Sequence, residues 1–222
     1  MIIAEQKNID EILCSVKPYH KIVVAGCGTC VTVSMAGGEK EAIKLAGMIR
    51  LAAKDEKREA CVSVSNPIRQ CDMEFLDSSE AELEDADCIL SLACGAGVQF
   101  MAEKFPDKVV VPGLNTKFIG VNRDIGYWTE MCQGCGNCIL EKTGGVCPVA
   151  RCAKSHFNGP CGGSAGGVCE IGEETDCGWQ LIFDRLNRIG QVHRLVEIND
   201  IRDWRSSRDG GPRTLRRDDM IV

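Results

Sequence analysis

Lys21-Ile22-Val23-Val24-Ala25-Gly26 is a short apolar run closed by a glycine, and Cys27-Gly28-Thr29-Cys30 follows it at once. A run of this length ended by a turn former reads as a buried β-strand. Working outward, Asp10 to Val16 reads as a helix before it. After it, Leu45, Met48, Ile49 and Ala52 recur at the spacing of one helix face. Cys61-Val62-Ser63-Val64 and Cys88-Ile89-Leu90-Ser91-Leu92-Ala93 read as second and third strands. Val98 to Phe105 is a helix stopped by Pro106, and Lys108-Val109-Val110-Val111-Pro112 is a fourth strand. Strands that alternate with helices form βαβ units around a parallel sheet. Residues 1–120 are therefore expected to be a Rossmann-like α/β domain.

In an open α/β sheet, ligands gather where the carboxyl ends of the strands meet the following loops. Cys27 and Cys30 follow the first strand, Cys71 lies in the loop after the second, and Cys94 closes the third. The four are expected to converge on a metal site that holds either an iron–sulfur cluster or zinc. Two other readings stay open: buried or reactive thiols, and a nucleotide-binding turn. The turn reading is weakened because Gly26-x-Gly28 continues to Val31 where a dinucleotide fingerprint has glycine. Cys61 and Cys88 open their strands, at the opposite edge. They are expected to be buried core thiols, and Cys14 likewise.

The sequence changes character after residue 120. Residues 121–178 hold eight cysteines, many glycines and little hydrophobic periodicity. Such a segment buries too little apolar surface to fold by itself, so a bound metal centre is expected to supply the missing energy. Cys132-Gln133-Gly134-Cys135-Gly136-Asn137-Cys138 is C-x2-C-x2-C, and Cys147-Pro148 follows. Bacterial ferredoxins bind [4Fe–4S] clusters with C-x2-C-x2-C-x3-C-P. Here the last gap is eight residues, so Cys147 either completes this cluster or serves a second one. Cys152, Cys161, Cys169 and Cys177 form the second set. Eight cysteines suit two four-thiolate centres, two [4Fe–4S] clusters being the expectation and zinc the alternative for the second set. The C-x3-C-x2-C spacing of a radical-SAM site is absent. His156, between Cys152 and Cys161, reads either as a loop residue or as a ligand.

Composition narrows the function classes. The chain has 222 residues, a formal net charge of -6 and only 5 % aromatic residues. An acidic surface repels phosphate backbones, and few aromatics leave little to stack on bases, so no nucleic-acid partner is expected. No apolar run is long enough for a membrane span, and no secretion signal opens the chain, so a cytoplasmic protein is expected. Fifteen cysteines in such a chain point to metal or redox work rather than disulfides. Residues 179–222 begin with a helix, Trp179 to Ile189, with Ile182, Phe183 and Leu186 on one face. An arginine-rich tail follows, read either as solvated or as a partner-docking segment.

Three stretches together resemble a known family: Gly26-Cys27-Gly28-Thr29-Cys30 with Ala36-Gly37-Gly38-Glu39-Lys40; Cys94-Gly95-Ala96-Gly97-Val98-Gln99; and the run from Cys132 through Asn158-Gly159-Pro160-Cys161-Gly162-Gly163 to Cys177-Gly178-Trp179. The chain resembles the MetV-type small subunit of two-subunit methylenetetrahydrofolate reductases. The resemblance implies a partner: a TIM-barrel subunit that carries FMN and the folate. It implies an electron-transfer subunit with iron–sulfur centres, zinc also being associated with such complexes. Reducing equivalents would come from a donor such as ferredoxin or an NADH-oxidising subunit and reach the partner's flavin. Alternatives are a subunit of a heterodisulfide-reductase-like complex and a zinc-stabilised scaffold without redox function. No acid–base or nucleophilic catalytic residue is expected on this chain.

Overall fold

The computed structural model describes residues 1–220. The chain divides into two compact units, Met1–Trp128 and Thr129–Val222. In order, the elements of the first unit are β1 (Ile2–Gln6), α1 (Ile9–Val16), β2 (Lys21–Ala25), α2 (Cys30–Val33), α3 (Glu39–Asp55), β3 (Cys61–Ser65), α4 (Met73–Asp77), α5 (Glu80–Leu83), β4 (Cys88–Ser91), α6 (Gly95–Lys104), β5 (Val109–Pro112) and β6 (Leu114–Asp124). β7 (Tyr127–Cys132) runs across the division.

All four strands expected from the apolar runs form, and they make one parallel sheet in the order β3-β2-β4-β5. The central strands β2 and β4 are buried on both faces, as a sheet covered by helices on each side requires. Their side chains alternate between two cores because successive residues of a strand point to opposite faces. Ile22, Val24, Cys88 and Leu90 pack with Ile12 and Val16 of α1 and with Ala42, Leu45, Ala46 and Ile49 of α3. Val23, Ala25 and Ile89 pack on the other face with Leu76, Leu83, Met101 and Phe105. The buried stripe of α3 is thus shifted from the expected one, and Met48 is exposed.

Two expectations about cysteines are corrected. Cys88 is buried, but Cys61 and Cys14 are exposed. Cys88 stands on the inner strand β4, whereas β3 is an edge strand with only one neighbour and a less covered face. Cys14 falls between the buried helix positions Ile12 and Val16.

A second sheet, in the order β1-β6-β7, stands beside the apolar runs that sequence reading recognised. β1 pairs antiparallel with β6, Ile2 opposite Ile119 and Gln6 opposite Leu114. The sheet carries the first unit past residue 120, so the observed division falls eight residues later than expected, between Trp128 and Thr129.

The second unit contains the short helix α7 (Pro148–Arg151), the two-residue strands β8 (Ser164–Ala165) and β9 (Val168–Cys169), and α8 (Gly178–Arg188). Single turns of 3-10 helix stand at Val192–Val196, Trp204–Ser206, Arg208–Gly210 and Asp218–Met220. Its apolar cluster is Trp179, Ile182 and Leu186, all from α8. Phe183 is 42 % exposed, so Trp179 takes the place expected of it in the buried face. Among the described residues no helix is long and apolar enough to cross a membrane.

Candidate metal centre

The C-x2-C-x2-C run begins where β7 ends. Gly136 carries φ +82° and lies so close to the tail that a Cβ there would collide with the Ser206 carbonyl. Only glycine meets both demands at once. After Cys138 the chain makes a compact double turn. Lys142 N–H donates to the Ile139 carbonyl and Gly145 N–H to the Leu140 carbonyl. The turn delivers Cys147 as the N-cap of α7, with Pro148 at the first helical position, where its missing N–H costs nothing.

The eight-residue gap therefore returns Cys147 to its starting point. Cys132, Cys135, Cys138 and Cys147 all line one cavity of about 310 Å³, closed by Met131, Leu140, Val149 and Arg202 among others. That is roughly ten times the share of one water in the liquid, about 30 Å³. Four thiol-bearing side chains around a space of this size suit a polyatomic group. The backbone also offers a donor to sulfur: Gly134 N–H points at the Cys132 Sγ, 3.4 Å away.

The second set is drawn together by different means. Cys152 ends α7 and Cys177 caps α8. The two meet because Gly178 lies against the backbone of Arg151 and Cys152, where a Cβ would stand 2.6 Å from the Arg151 carbonyl. Cys169 lies on β9, opposite Ser164 of β8. Cys177 N–H donates to the Gly167 carbonyl, which seats it on the same hairpin. Burial pushes the Cys177 thiol up, but the Gln180 and Trp179 backbone N–H groups and the Ser164 hydroxyl outweigh it and lower its pKa below the usual thiol value. Cys161 accepts from the Gly163 N–H at 3.4 Å and stands 3.8 Å from the Lys154 ammonium. Lys154 in turn pairs with Glu170, next to Cys169. His156 offers its backbone carbonyl to the Trp179 indole N–H at 2.9 Å.

In the first unit, Cys27 and Cys94 stand at the carboxyl ends of β2 and β4, Cys94 as the N-cap of α6. Cys71 follows β3, so these loops flank the point where the strand order reverses around β2. Cys71 is exposed; partial burial raises its thiol pKa, and the Cys94 and Cys27 thiols raise it further. Cys30 heads α2 three residues beyond Cys27. Beside them Asn66 Oδ1 and Ser65 Oγ are buried without a hydrogen-bond partner.

Among the described residues no cysteine is in a disulfide. Among the described residues no group of three or more His, Cys, Asp or Glu side chains closes on a single metal ion.

One contributor escaped sequence reading. Arg202 Nη2 donates to the Cys135 Sγ at 2.9 Å, to the Cys135 carbonyl at 3.2 Å and to the Asn137 carbonyl at 2.5 Å. The signal for it was an arginine-rich tail. Nothing local in that tail sets Arg202 apart from its neighbours.

The architecture is that of an α/β unit joined to a cysteine-rich, glycine-rich unit whose first four cysteines share a cavity. Residues 111–205 match the family described as methylene-tetrahydrofolate reductase C terminal. The chain thus carries a methylenetetrahydrofolate reductase C-terminal-like domain there, which takes in all eight cysteines of the second unit and Arg202. The stretches Gly26–Cys30 and Cys94–Gln99 lie outside the match. No curated protein and no solved structure matches the chain.

Proposed function

We propose that the chain is the iron–sulfur electron-transfer subunit of a methylenetetrahydrofolate reductase complex, delivering electrons to the flavin of a partner barrel subunit. The observation that carries this reading is the common cavity of Cys132, Cys135, Cys138 and Cys147 within the matched domain. A [4Fe–4S] cluster held by these four thiolates supplies one-electron transfer, and its potential is set by charge, hydrogen bonds to sulfur and exposure.

The chain's own residues perform the supporting work. The eight-residue turn presents Cys147 opposite the other three. Gly134 N–H and the Arg202 guanidinium donate to ligand sulfurs and stabilise negative charge there. Leu140 and Val149 line the cavity with apolar side chains. Cys152, Cys161, Cys169 and Cys177 are assigned to a second [4Fe–4S] cluster. The low thiol pKa of Cys177 and the Lys154 ammonium beside Cys161 favour thiolate ligands there. Cys27, Cys30, Cys71 and Cys94 are assigned to a third centre, a cluster or zinc. FMN and the folate belong to the partner, and ferredoxin or an NADH-oxidising subunit is the donor.

The test is direct transfer. Chain reduced with dithionite, freed of reductant and mixed with a flavin-loaded methylenetetrahydrofolate reductase subunit is expected to bleach the flavin absorption. A Cys138→Ser chain is expected to bleach it at least tenfold more slowly. Equal rates for the two chains would refute the assignment of the first site.

A further inference from the structure

The arginine-rich tail is partly a strap folded over the first cysteine site of its own unit. Asn158, in the Asn-Gly-Pro-Cys loop, donates to the Asn199 carbonyl at 2.9 Å and accepts from the Asn199 N–H at 2.8 Å. Three residues on, the Arg202 guanidinium lies against an edge-to-face aromatic pair, 5.3 Å from the Phe157 centroid and 4.8 Å from that of Trp204. Ser206 Oγ donates to the Cys135 carbonyl at 3.0 Å, and Arg213 donates to the Gly134 carbonyl at 2.6 Å. The strap thus grips the C-x2-C-x2-C loop at Gly134, Cys135 and Asn137.

Within this strap Arg202 is electrostatically unusual. Arg205 pairs with Asp203, Arg216 with Asp218 and Arg217 with Asp219, while Arg208 and Arg213, which show no ion pair among the described residues, are exposed to water. Arg202 is half-buried, makes no ion pair among the described residues, and keeps its Nε and Nη1 buried without a hydrogen-bond partner. A guanidinium withdrawn from water needs a compensating negative charge. The Cys135 sulfur, 2.9 Å away on the wall of the cavity, is the group placed to supply it.

We infer that Arg202 is the counter-cation of the first centre, and that the strap exists to hold it there. The inference rests on the cluster reading above. A one-electron reduction adds one negative charge to the centre, and a fixed cation at a ligand sulfur stabilises the more negative state. Arg202 therefore raises the reduction potential of this centre above what the four thiolates alone would set. The aromatic pair and the two carbonyls fix the guanidinium at the sulfur with several contacts that a flexible ammonium does not reproduce.

The experiment is an EPR-monitored redox titration of the full chain, with iron and sulfide content measured on the same samples. Arg202→Gln removes the charge and keeps a donor; Arg202→Met keeps an apolar stem against the two rings and is the second variant should the amide disturb the site. Both are expected to retain the iron of the unaltered chain. Each shifts the reduction equilibrium of one cluster about tenfold toward the oxidised state, about 59 mV for one electron. Arg202→Lys is expected to recover part of the shift. A merely structural arginine would change iron content or stability and leave the midpoint of the loaded centre in place. Unchanged midpoints in fully loaded Gln and Met variants would overturn the role of Arg202 alone. An unaltered chain without iron or sulfide would overturn the cluster reading and this inference with it.

Discussion

The two units of this chain are held together by different physics. Of the buried apolar side chains among the described residues, 28 lie in Met1–Trp128 and four in Thr129–Val222. The first unit has a sheet with a core on each face, and its fold follows from burial of Ile22, Val24, Leu90 and their partners. The second has a three-residue apolar cluster on one helix, two strands of two residues, and loops that turn on left-handed glycines. It holds ten such glycines, where the first unit has Gly126. Each of those glycines lost more freedom on ordering than another residue would have. A unit with that little core and that much ordering cost is expected to draw its stability from what its cysteines bind.

Removal of the proposed metal is the change expected to separate the units most. Stripping the chain with a chelator under reducing conditions is expected to cost the second unit on the order of 10 kcal/mol, the scale on which metal binding drives folding of small domains. Hydrogen exchange then loses protection throughout α7, α8 and the strap, while β2 and β4 keep theirs. Equal loss in both units would mean that they do not differ as described.

A core truncation sharpens the comparison from the other side. Leu90→Ala removes a fully buried side chain of β4 and is expected to destabilise the first unit by about 3 kcal/mol. Urea unfolding followed by exchange at β2 and β4 reads that loss. Absorption from the clusters proposed for the second unit should be unchanged at low urea, since the truncation touches none of that unit's cysteines.

The smallest effect concerns the thiols outside the three candidate sites. Burial beside Asp87 pushes the Cys88 thiol up to about 12, against an ordinary value of 9.0. Below pH 9 this thiol is protonated in folded and unfolded chains alike. Above it the unfolded thiol ionises first, so stability of the first unit is expected to fall as pH rises from 9 towards 12. A Cys88→Ala chain should lose that part of the slope. Alkylation mapped by mass spectrometry at pH 8 should mark the exposed Cys61 and Cys14 peptides and spare Cys88.

These contrasts also explain what could be read from sequence. The parallel sheet was legible because β2 and β4 are buried on both faces and therefore read as unbroken apolar runs. The antiparallel sheet was not. β6 is mostly exposed along its eleven residues, and it pairs with a strand more than 100 residues earlier. Neither a local pattern nor local pairing announces it. The position of Cys61 was misread because a two-residue alternation does not say which strand ends up at the edge. At the candidate site, the spacing of Cys132, Cys135 and Cys138 was informative by itself, since a local loop fixes it. The place of Cys147 needed the turn from Ile139 to Val146, and Arg202 needed a strap that closes across more than sixty residues.

We propose that the shared cavity of Cys132, Cys135, Cys138 and Cys147 holds an iron–sulfur cluster. Its most direct test is iron, sulfide and zinc content of anaerobically purified chain, with an EPR spectrum after dithionite reduction. At least about eight irons with matching sulfide, two clusters of four, are expected, with a cubane-type reduced signal that changes in a Cys147→Ser variant. A colourless chain that carries zinc alone and gives no reducible signal would contradict it.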